Sequence, residues 1–222
     1  MAPGAPIDRR SQVRFWRSAR QAPNLSTRGR GAGAARGPGA VVGNGQPKDS
    51  LMLVETSGLA LGPDGSVFVG DAVAHRVYRV GPDGRGRKAA GTGSSGYSGD
   101  GASALLAELD SPHGLAVDQF GTVFGADTRN HVIRRIGADG NIDTIVGTGV
   151  AGHSGNGFAA LEATLSSPAG VAVGADGLIF VADIGNDVVR SIDPAGDSAD
   201  ESRQLQGELR QSVQERIRKT VD

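Results

Sequence analysis

The chain repeats itself with a 56-residue period. Gly58-Leu59-Ala60 returns as Gly114-Leu115-Ala116 and again as Gly170-Val171-Ala172. Between Gly58 and Gly101, more than two fifths of the positions are identical one period later, far more than chance would give. A period of this length means that one supersecondary unit is copied in tandem and that each copy buries its apolar surface against its neighbours. The repeat therefore constrains the fold more than any other feature of the sequence.

Each repeat contains short apolar runs separated by turn signals. Gly-Pro-Asp-Gly occurs at 62–65 and at 81–84, where proline fixes φ, aspartate bonds its own backbone and the last glycine takes a positive φ. The runs around these turns are predicted to be strands, at 59–61, 67–69 and 77–80, with a fourth that is weak at 87–90 and clear at 142–146. Four short antiparallel strands are the unit of a β-propeller blade. The sequence thus predicts an all-β fold, a partial β-propeller of about three four-stranded blades.

An insertion follows the fourth strand of each repeat, because the period exceeds what a plain blade needs. It begins with GTGSSG or GTGVAG, and Asp100 and Asn156 stand where they would cap short helical turns at 102–109 and 158–165. Both strings match the G-x-G-x-x-G pattern of dinucleotide sites. They recur at the repeat period and lack a surrounding βαβ unit, which favours a structural interpretation.

The pattern P-x-G-[LV]-A-V…G-x-[VI]-[FY]-V-A-D-x-x-N with a closing [VI]-R-x-I is matched twice, by Pro112–Val117 with Val123–Ile136 and by Pro168–Val173 with Ile179–Ile192. One departure is Gly125, which stands in place of the strand valine. With the GTG…SGDG insertion, this pattern resembles the NHL-repeat family of β-propellers, in its bacterial variety. The resemblance covers roughly residues 41–196 and implies a propeller fold. Complete NHL propellers usually have six blades, whereas only three repeats are present here.

The first and last parts of the chain differ from the repeats in composition. Residues 1–39 are rich in Arg, Gly, Ala and Pro and are predicted to be a disordered basic arm. Residues 197–222 are predicted to form an amphipathic helix, capped by Ser198 and Glu201. No fourth strand is evident after Asp193, so the predicted repeat region, 40–196, divides into 58–113, 114–169 and 170–196, with a stray outer strand at 40–43. That strand could complete the last blade of a second copy, and a six-bladed homodimer is one expectation. The other is that the chain is a truncated product of a longer gene.

Candidate site residues are few. Asp71, Asp127 and Asp183 end the second strand of each repeat and are expected to be structural. His113 precedes an innermost strand, but its equivalents are Ser57 and Ala169, and one histidine is not a metal-ligand set. The residues proposed to line a binding surface, several of them on a basic rim, are His75, Arg79, His113, Arg129, His131, Arg135 and Arg190.

These patterns favour a non-catalytic binding or scaffold module for a protein or peptide, without a cofactor. The alternative is a metal-assisted propeller lyase or hydrolase that is active only in a completed ring and would take a divalent metal. Residues 51–196 carry sixteen acidic and nine basic side chains, which opposes nucleic acid except at the basic arm. No apolar run approaches the ~20 residues of a membrane span, and a cytoplasmic protein is expected.

Overall fold

The computed structural model describes residues 46–47, 51, 53–193 and 197–200. They form three antiparallel sheets, each the blade of a partial β-propeller. Blade 1 contains β1 (Gln46–Pro47), β2 (Thr56–Leu61), β3 (Val67–Asp71), β4 (Arg76–Val80) and β5 (Arg85–Ala90). Blade 2 contains β6 (Ala102–Ser103), β7 (Pro112–Val117), β8 (Val123–Asp127), β9 (Val132–Ile136) and β10 (Asn141–Val146). Blade 3 contains β11 (Phe158–Ala159), β12 (Pro168–Val173), β13 (Ile179–Asp183), β14 (Val188–Ile192) and β15 (Asp197–Asp200). The predictions of an all-β fold and of three blades are confirmed.

The tight turns form as the sequence predicts. In the turn between β2 and β3, the N–H of Gly65 donates to the carbonyl of Gly62 at 3.0 Å, and Gly65 has a φ of +82°. The carboxylate of Asp64 accepts the N–H of Ser66, two residues later, at 3.0 Å. The same chemistry recurs in the turn at 81–84, where Asp83 accepts the N–H of Arg85 at 3.0 Å. These turns fix the register of the blade strands.

Each insertion supplies a strand to the blade that follows it. β6, from the insertion after blade 1, pairs with β10 at the outer edge of blade 2, and β11 pairs with β15 in blade 3. The helical turns are short 3-10 turns at Ala104–Leu106 and Ala160–Glu162, and neither has a side-chain cap. The expected caps at Asp100 and Asn156 are therefore wrong, because the residues that follow first pair with the outer edge of the next blade. Every blade thus has five strands, the outermost only two residues long.

The fourth strand of blade 3 corrects another expectation. Residues Asp197–Asp200 form β15 and pair with β14, Arg190 opposite Asp200 and Ile192 opposite Ser198. The predicted helix therefore cannot include residues 197–200, and Ser198 does not cap it. Backbone hydrogen bonds to β14 hold this strand in place. A strand near the edge of a sheet therefore needs no apolar pattern in its sequence. Residues 1–39, the outer strand expected at 40–43 and the rest of the predicted helix, 201–222, lie outside the described residues.

The core lies between the blades. One apolar cluster joins blades 1 and 2, and it brings Phe68 and Val77 against Leu115, Val123 and Ile136. The second cluster joins blades 2 and 3 through Phe124, Ile133, Val171, Ile179 and Ile192. The alternation along each strand sends one set of side chains to each neighbour, because successive strand residues face opposite sides of a sheet.

The innermost strands meet backbone to backbone. A Cβ atom on Gly58 would lie less than 3.0 Å from the carbonyl oxygen of His113, and a Cβ atom on Gly114 would be equally close to that of Ala169. Only glycine permits this approach, which explains why the residue recurs at these positions in the repeat.

Candidate binding face

The ends of the strands define two faces of the blade array. At the loop face, β3, β8 and β13 end at Asp71, Asp127 and Asp183, and three loops lead into the next strands. At the turn face lie the tight turns that include Gly65, Gly84, Gly121, Gly140 and Gly177, all with positive φ. The predicted site residues are divided between these two faces and the interior, so they do not form a single site.

The three strand-end aspartates are buried and hold the chain that enters their own blade. Asp127 accepts the N–H of Asp110 at 2.7 Å, and Asp183 accepts the N–H of Ser166 at 2.6 Å, each from a residue 17 positions earlier. Asp71 accepts the N–H of Val54, again 17 positions earlier, at 2.7 Å. All three contacts lie within the fold and connect each aspartate to the segment that precedes its own blade.

The loop residue three positions after each aspartate completes this network. The amide of Asn130 donates to Asp127 at 2.8 Å and to the carbonyl of Gly96 in the preceding insertion at 2.7 Å. Asn186 makes the equivalent bonds in blade 3. Blade 1 has Ala74 instead, whose backbone N–H donates to Asp71 at 3.0 Å.

His75 and His131 accept hydrogen bonds from backbone N–H groups at the loop face. Both have a positive φ, and Asp187 shares this conformation in blade 3. The Nδ1 atom of His75 accepts the N–H of Ser111 at 3.2 Å, and that of His131 accepts the N–H of Ser167 at 3.0 Å. Each histidine therefore joins its loop to the linker that enters the next blade.

His113 and Arg129 also lie at the loop face. His113 is half-buried at the start of β7, and its Nδ1 is 2.8 Å from the carbonyl oxygen of Ser111. Arg129 is exposed, and its backbone N–H donates to the carbonyl of Asp110 at 3.1 Å. Of the predicted loop-face residues, Arg129 is the one whose side chain is exposed.

Arg79 and Arg135 lie toward the turn face, each in an ion pair on its own blade. Arg79 bonds to Asp64, and Arg135 bonds to Asp143 at 2.9 Å. The pKa of Asp64 is lowered to about 2, first by hydrogen bonds from the hydroxyl and N–H of Ser66 and then by Arg79. These arginines are accessible at the turn face.

Arg190 is fully buried, which removes it from the basic rim expected from the sequence. Its guanidinium donates to the carbonyl of Ser154 at 2.9 Å, in the insertion that precedes blade 3. Arg134, one repeat earlier, is buried in the same way and donates to the carbonyl of Ser98 at 3.0 Å and to Asp100 at 2.7 Å. The signal in the sequence is the joint recurrence of this arginine and the S-G-[DN]-G motif.

The G-x-G-x-x-G strings have N–H groups engaged within the insertion. Gly91 donates to the carbonyl of Ala104 at 2.9 Å and Thr92 to that of Ala107 at 2.9 Å. The equivalent residues one repeat later make the same bonds. Because a phosphate cradle needs such N–H groups to be available, this geometry agrees with the structural interpretation.

A groove of about 500 Å³ opens between blades 2 and 3 on the side of the turn face. It combines charged, hydroxyl and apolar side chains, and its lining includes Asp118, Thr122, Arg135, Thr144, Ile145 and Leu161. Of these lining residues, Arg135 was predicted from the sequence as a binding residue, whereas Thr144 and Leu161 were not.

The groove differs from the equivalent place between blades 1 and 2. There, the ammonium group of Lys88 donates to the carbonyl of Leu105 at 3.1 Å and so joins β5 to the 3-10 turn of the insertion between the two blades. Thr144 takes the place of Lys88 and is too short to make this bridge. Its hydroxyl instead lies 2.9 Å from the hydroxyl of Tyr97 at an exposed position. The change from Lys to Thr is visible when the repeats are aligned.

Burial changes the acidity of two groups near these sites. The pKa of Asp127 is raised to about 6 because burial penalises its carboxylate, although Asn130 and the N–H of Asp110 act in the opposite direction. The pKa of Lys88 is lowered by desolvation and by the nearby Arg76.

Within the described residues, no group of three or more His, Cys, Asp or Glu side chains is placed to hold a metal ion. In that same part of the chain, no helix has the length and apolar character to cross a membrane.

Comparisons with known proteins agree with this architecture. Residues 83–152 match the sequence profile of the teneurin NHL domain. The chain is 28% identical over 162 residues to the protein SUPPRESSOR OF QUENCHING 1, chloroplastic, of Arabidopsis thaliana, an alignment that covers 68% of this chain and 15% of that protein.

Two solved structures from Bacteroides thetaiotaomicron share the fold. A protein of unknown function is similar with a TM-score of 0.52 and 23% identity, over 58% of this chain and 32% of that chain. A putative phosphatase is similar with a TM-score of 0.50 and 17% identity, over 61% of this chain and 34% of that chain. The chain thus spans about a third of each of these proteins.

The sequence repeat, the order of strands in the three blades and the match over residues 83–152 support one another. The chain thus has the β-propeller fold and is similar, over residues 83–152, to the NHL domain of teneurins.

Proposed function

We propose that the chain is a non-catalytic binding module that presents its turn face to a protein or peptide partner. The observation that carries the proposal is the groove between blades 2 and 3. At the equivalent position between blades 1 and 2, Lys88 bonds to the carbonyl of Leu105, whereas Thr144 takes its place in the lining of the groove. A groove that differs between otherwise similar repeats is the place where specificity can reside.

The chemistry of the groove suits an extended peptide. Leu161 is 56% exposed and offers an apolar contact, while Arg135 and Asp118 provide charges of both signs at the margin. A peptide site needs this combination, because apolar burial supplies affinity and a few polar groups set the orientation. The two faces are built largely from loops and turns, which fits recognition of a macromolecule.

The described histidines and aspartates at the repeat positions support a role without catalysis. Asp127 and Asp183 are buried and bonded to the backbone, and His75 and His131 accept N–H groups from neighbouring linkers. These side chains already maintain the fold, so their use as acids, bases or metal ligands would disturb it.

A homodimer belongs to the same proposal. Three blades are half of the six that NHL propellers usually have, and two copies would provide the broader face of a complete ring.

The binding proposal can be tested with a phage library of random linear peptides panned on the immobilised full-length chain. Peptides that are enriched would be synthesised and titrated by fluorescence polarisation against the wild type, Thr144→Lys and Leu161→Glu. Thr144→Lys restores the residue found between blades 1 and 2, so it should fill the groove and leave the fold intact. We expect both substitutions to weaken binding at least about tenfold, as for central contacts in an interface.

Leu106→Glu is the matched control. Leu106 is 72% exposed on the 3-10 turn of the preceding insertion, and its equivalent one repeat later is Glu162. This variant should bind like the wild type. Failure to enrich any peptide, or equal binding by all four proteins, would refute the groove as the site.

A further inference from the structure

The two ends of the blade array each expose an apolar face that the inner blades bury. Phe68 and Phe124 are each 7% exposed because the next blade covers them, whereas the equivalent Phe180 in blade 3 is 37% exposed. At the other end, Leu59 is 59% exposed, although the equivalent Leu115 is 6% exposed against blade 1. Comparison with the inner blades therefore shows which side chains at each end lack a covering blade.

Each end face has the side chains of one half of a blade-to-blade interface. The chain forms this interface twice, between blades 1 and 2 and between blades 2 and 3. Between blades 1 and 2, Phe68 and Val77 share a core with Leu115, Val123 and Ile136. The first half of that set recurs in the blade 3 end face, which consists of Ala172, Phe180, Ala182 and Val189. The second half recurs in the blade 1 end face, which consists of Leu59, Leu61, Val67 and Val80. The two end faces are therefore complementary to each other.

The innermost strands also indicate that the end of blade 3 lacks a contact that blades 1 and 2 have. At Gly58 and Gly114, the backbone of the next blade lies less than 3.0 Å from where a Cβ atom would be. Gly170 repeats this residue in blade 3, yet its nearest neighbour is the Cβ atom of Ala182 in its own blade, at 3.1 Å. Among the described residues, no backbone lies over Gly170 as it does over Gly58 and Gly114. Ser57 of blade 1 is the repeat equivalent of the residue that supplies this backbone.

We propose that the blade 3 end face of one chain docks on the blade 1 end face of a second copy, and the reverse, to close a ring of six blades. This inference rests on the assembly part of the proposed function and specifies its contacts: Phe180 packs among Leu59, Val67 and Val80, and Gly170 lies over the backbone of Ser57. Each chain carries both end faces, so each junction joins two different surfaces and is heterologous. Two copies close into a ring when the three blades of one chain span half a turn.

The experiment is a measurement of molar mass by light scattering after size-exclusion chromatography, with the full-length chain. The wild type should have twice the 22.5 kDa mass of one chain. Phe180→Glu and Leu59→Lys should each yield the mass of a single chain, since both junctions of the ring are then damaged. Phe120→Glu is the matched control, because Phe120 is 77% exposed in a turn outside both end faces. It should leave the dimer intact.

A mixture of the Phe180→Glu and Leu59→Lys chains separates docking from misfolding. In a mixed ring, one junction keeps both native side chains, and the other brings the introduced carboxylate against the introduced ammonium group. The mixture should therefore recover the mass of a dimer that neither variant forms alone.

Gly170→Ala gives a second check of the same junction. Among the described residues of one chain, the added methyl group approaches only the Cβ atom of Ala182, at 3.1 Å, whereas in the ring it meets the backbone of Ser57. It should weaken the dimer at least about tenfold without changing the circular dichroism spectrum.

A wild-type chain that stays at the mass of one copy would overturn the proposal, and growth into open polymers would overturn the closed ring. Loss of peptide binding with an intact dimer would count against the groove alone, so the two proposals fail separately.

Discussion

The carboxylate of Asp127 accepts the backbone N–H of Asp110 at 2.7 Å, and thereby ties the end of β8 to the segment that enters β7. The same bond, across the same 17 residues, recurs at Asp183 and Asp71. The repeat thus uses its aspartate to join the second strand of a blade to the start of the first.

Asp183→Ala should lower the free energy of unfolding by about 2–3 kcal/mol. The change leaves the part-buried N–H of Ser166 without its acceptor and removes one of the two acceptors of the Asn186 amide. The measurement is equilibrium unfolding in urea. Asp176→Ala, at an exposed turn, is the comparison. Equal losses in the two variants would contradict the role assigned to Asp183.

The protein should be more stable near pH 5 than near pH 7 as far as Asp127 is concerned. Its pKa is raised from 3.8 to about 6 in the folded state, so the folded protein binds a proton more tightly than the unfolded chain does. That contribution is complete below the ordinary pKa and is lost as pH rises through 6. The expected difference between the two pH values is about 1 kcal/mol.

This pH dependence can be assigned with Asp127→Asn, which should remove it from urea unfolding curves measured at the two pH values. Glu162→Gln, at an exposed position, should retain it. A carboxyl carbon resonance of Asp127 that titrates at the ordinary pH of an exposed aspartate would contradict this prediction.

Arg190→Met should cost about 2–3 kcal/mol, although methionine fills a similar space, because the carbonyl of Ser154 loses its buried donor. Arg79→Ala breaks a partly exposed ion pair and should cost less than about 1 kcal/mol. Thermal or urea denaturation compares the two. A larger loss for Arg79→Ala would reverse the assignment of buried and surface arginines.

Gly114→Ala should destabilise the fold strongly, by about 3 kcal/mol or more, because the methyl group meets the carbonyl of Ala169 in backbone that cannot move aside. Gly125→Ala is the control, since its nearest neighbour is the flexible side chain of Leu115 at 3.1 Å. Soluble yield and unfolding midpoints report the difference. Similar stability of both variants would show that the inner strands can separate.

Most of the fold could be predicted from the sequence because the turns carry strong local signals. Gly-Pro-Asp-Gly specifies where a strand ends, and the apolar alternation between turns specifies which side faces a neighbouring blade. The strand at Asp197–Asp200 was missed because an edge strand is held by backbone pairing with β14, and its polar side chains give no periodic signal. The outer strands β6 and β11 were missed for the same reason.

The site was harder to predict because residue type alone does not reveal burial. Arg190 and Arg135 are both arginines in equivalent strands, yet one is fully buried and the other is exposed. The difference depends on which side of the sheet each side chain occupies and on the insertion that covers Arg190. The groove could not be predicted either, because its lining comes from two blades and an insertion that meet only in the folded chain.

The donation of β6 and β11 from one repeat to the next blade means that neither blade 2 nor blade 3 is built entirely from its own repeat. Melting of one unit would strip its neighbour of an edge and of the contacts to Arg134 or Arg190. Coupling between nearest neighbours of this kind favours a single all-or-none unfolding transition for the three units in place of fraying from one end. Proteases would then find few partly opened forms to cut.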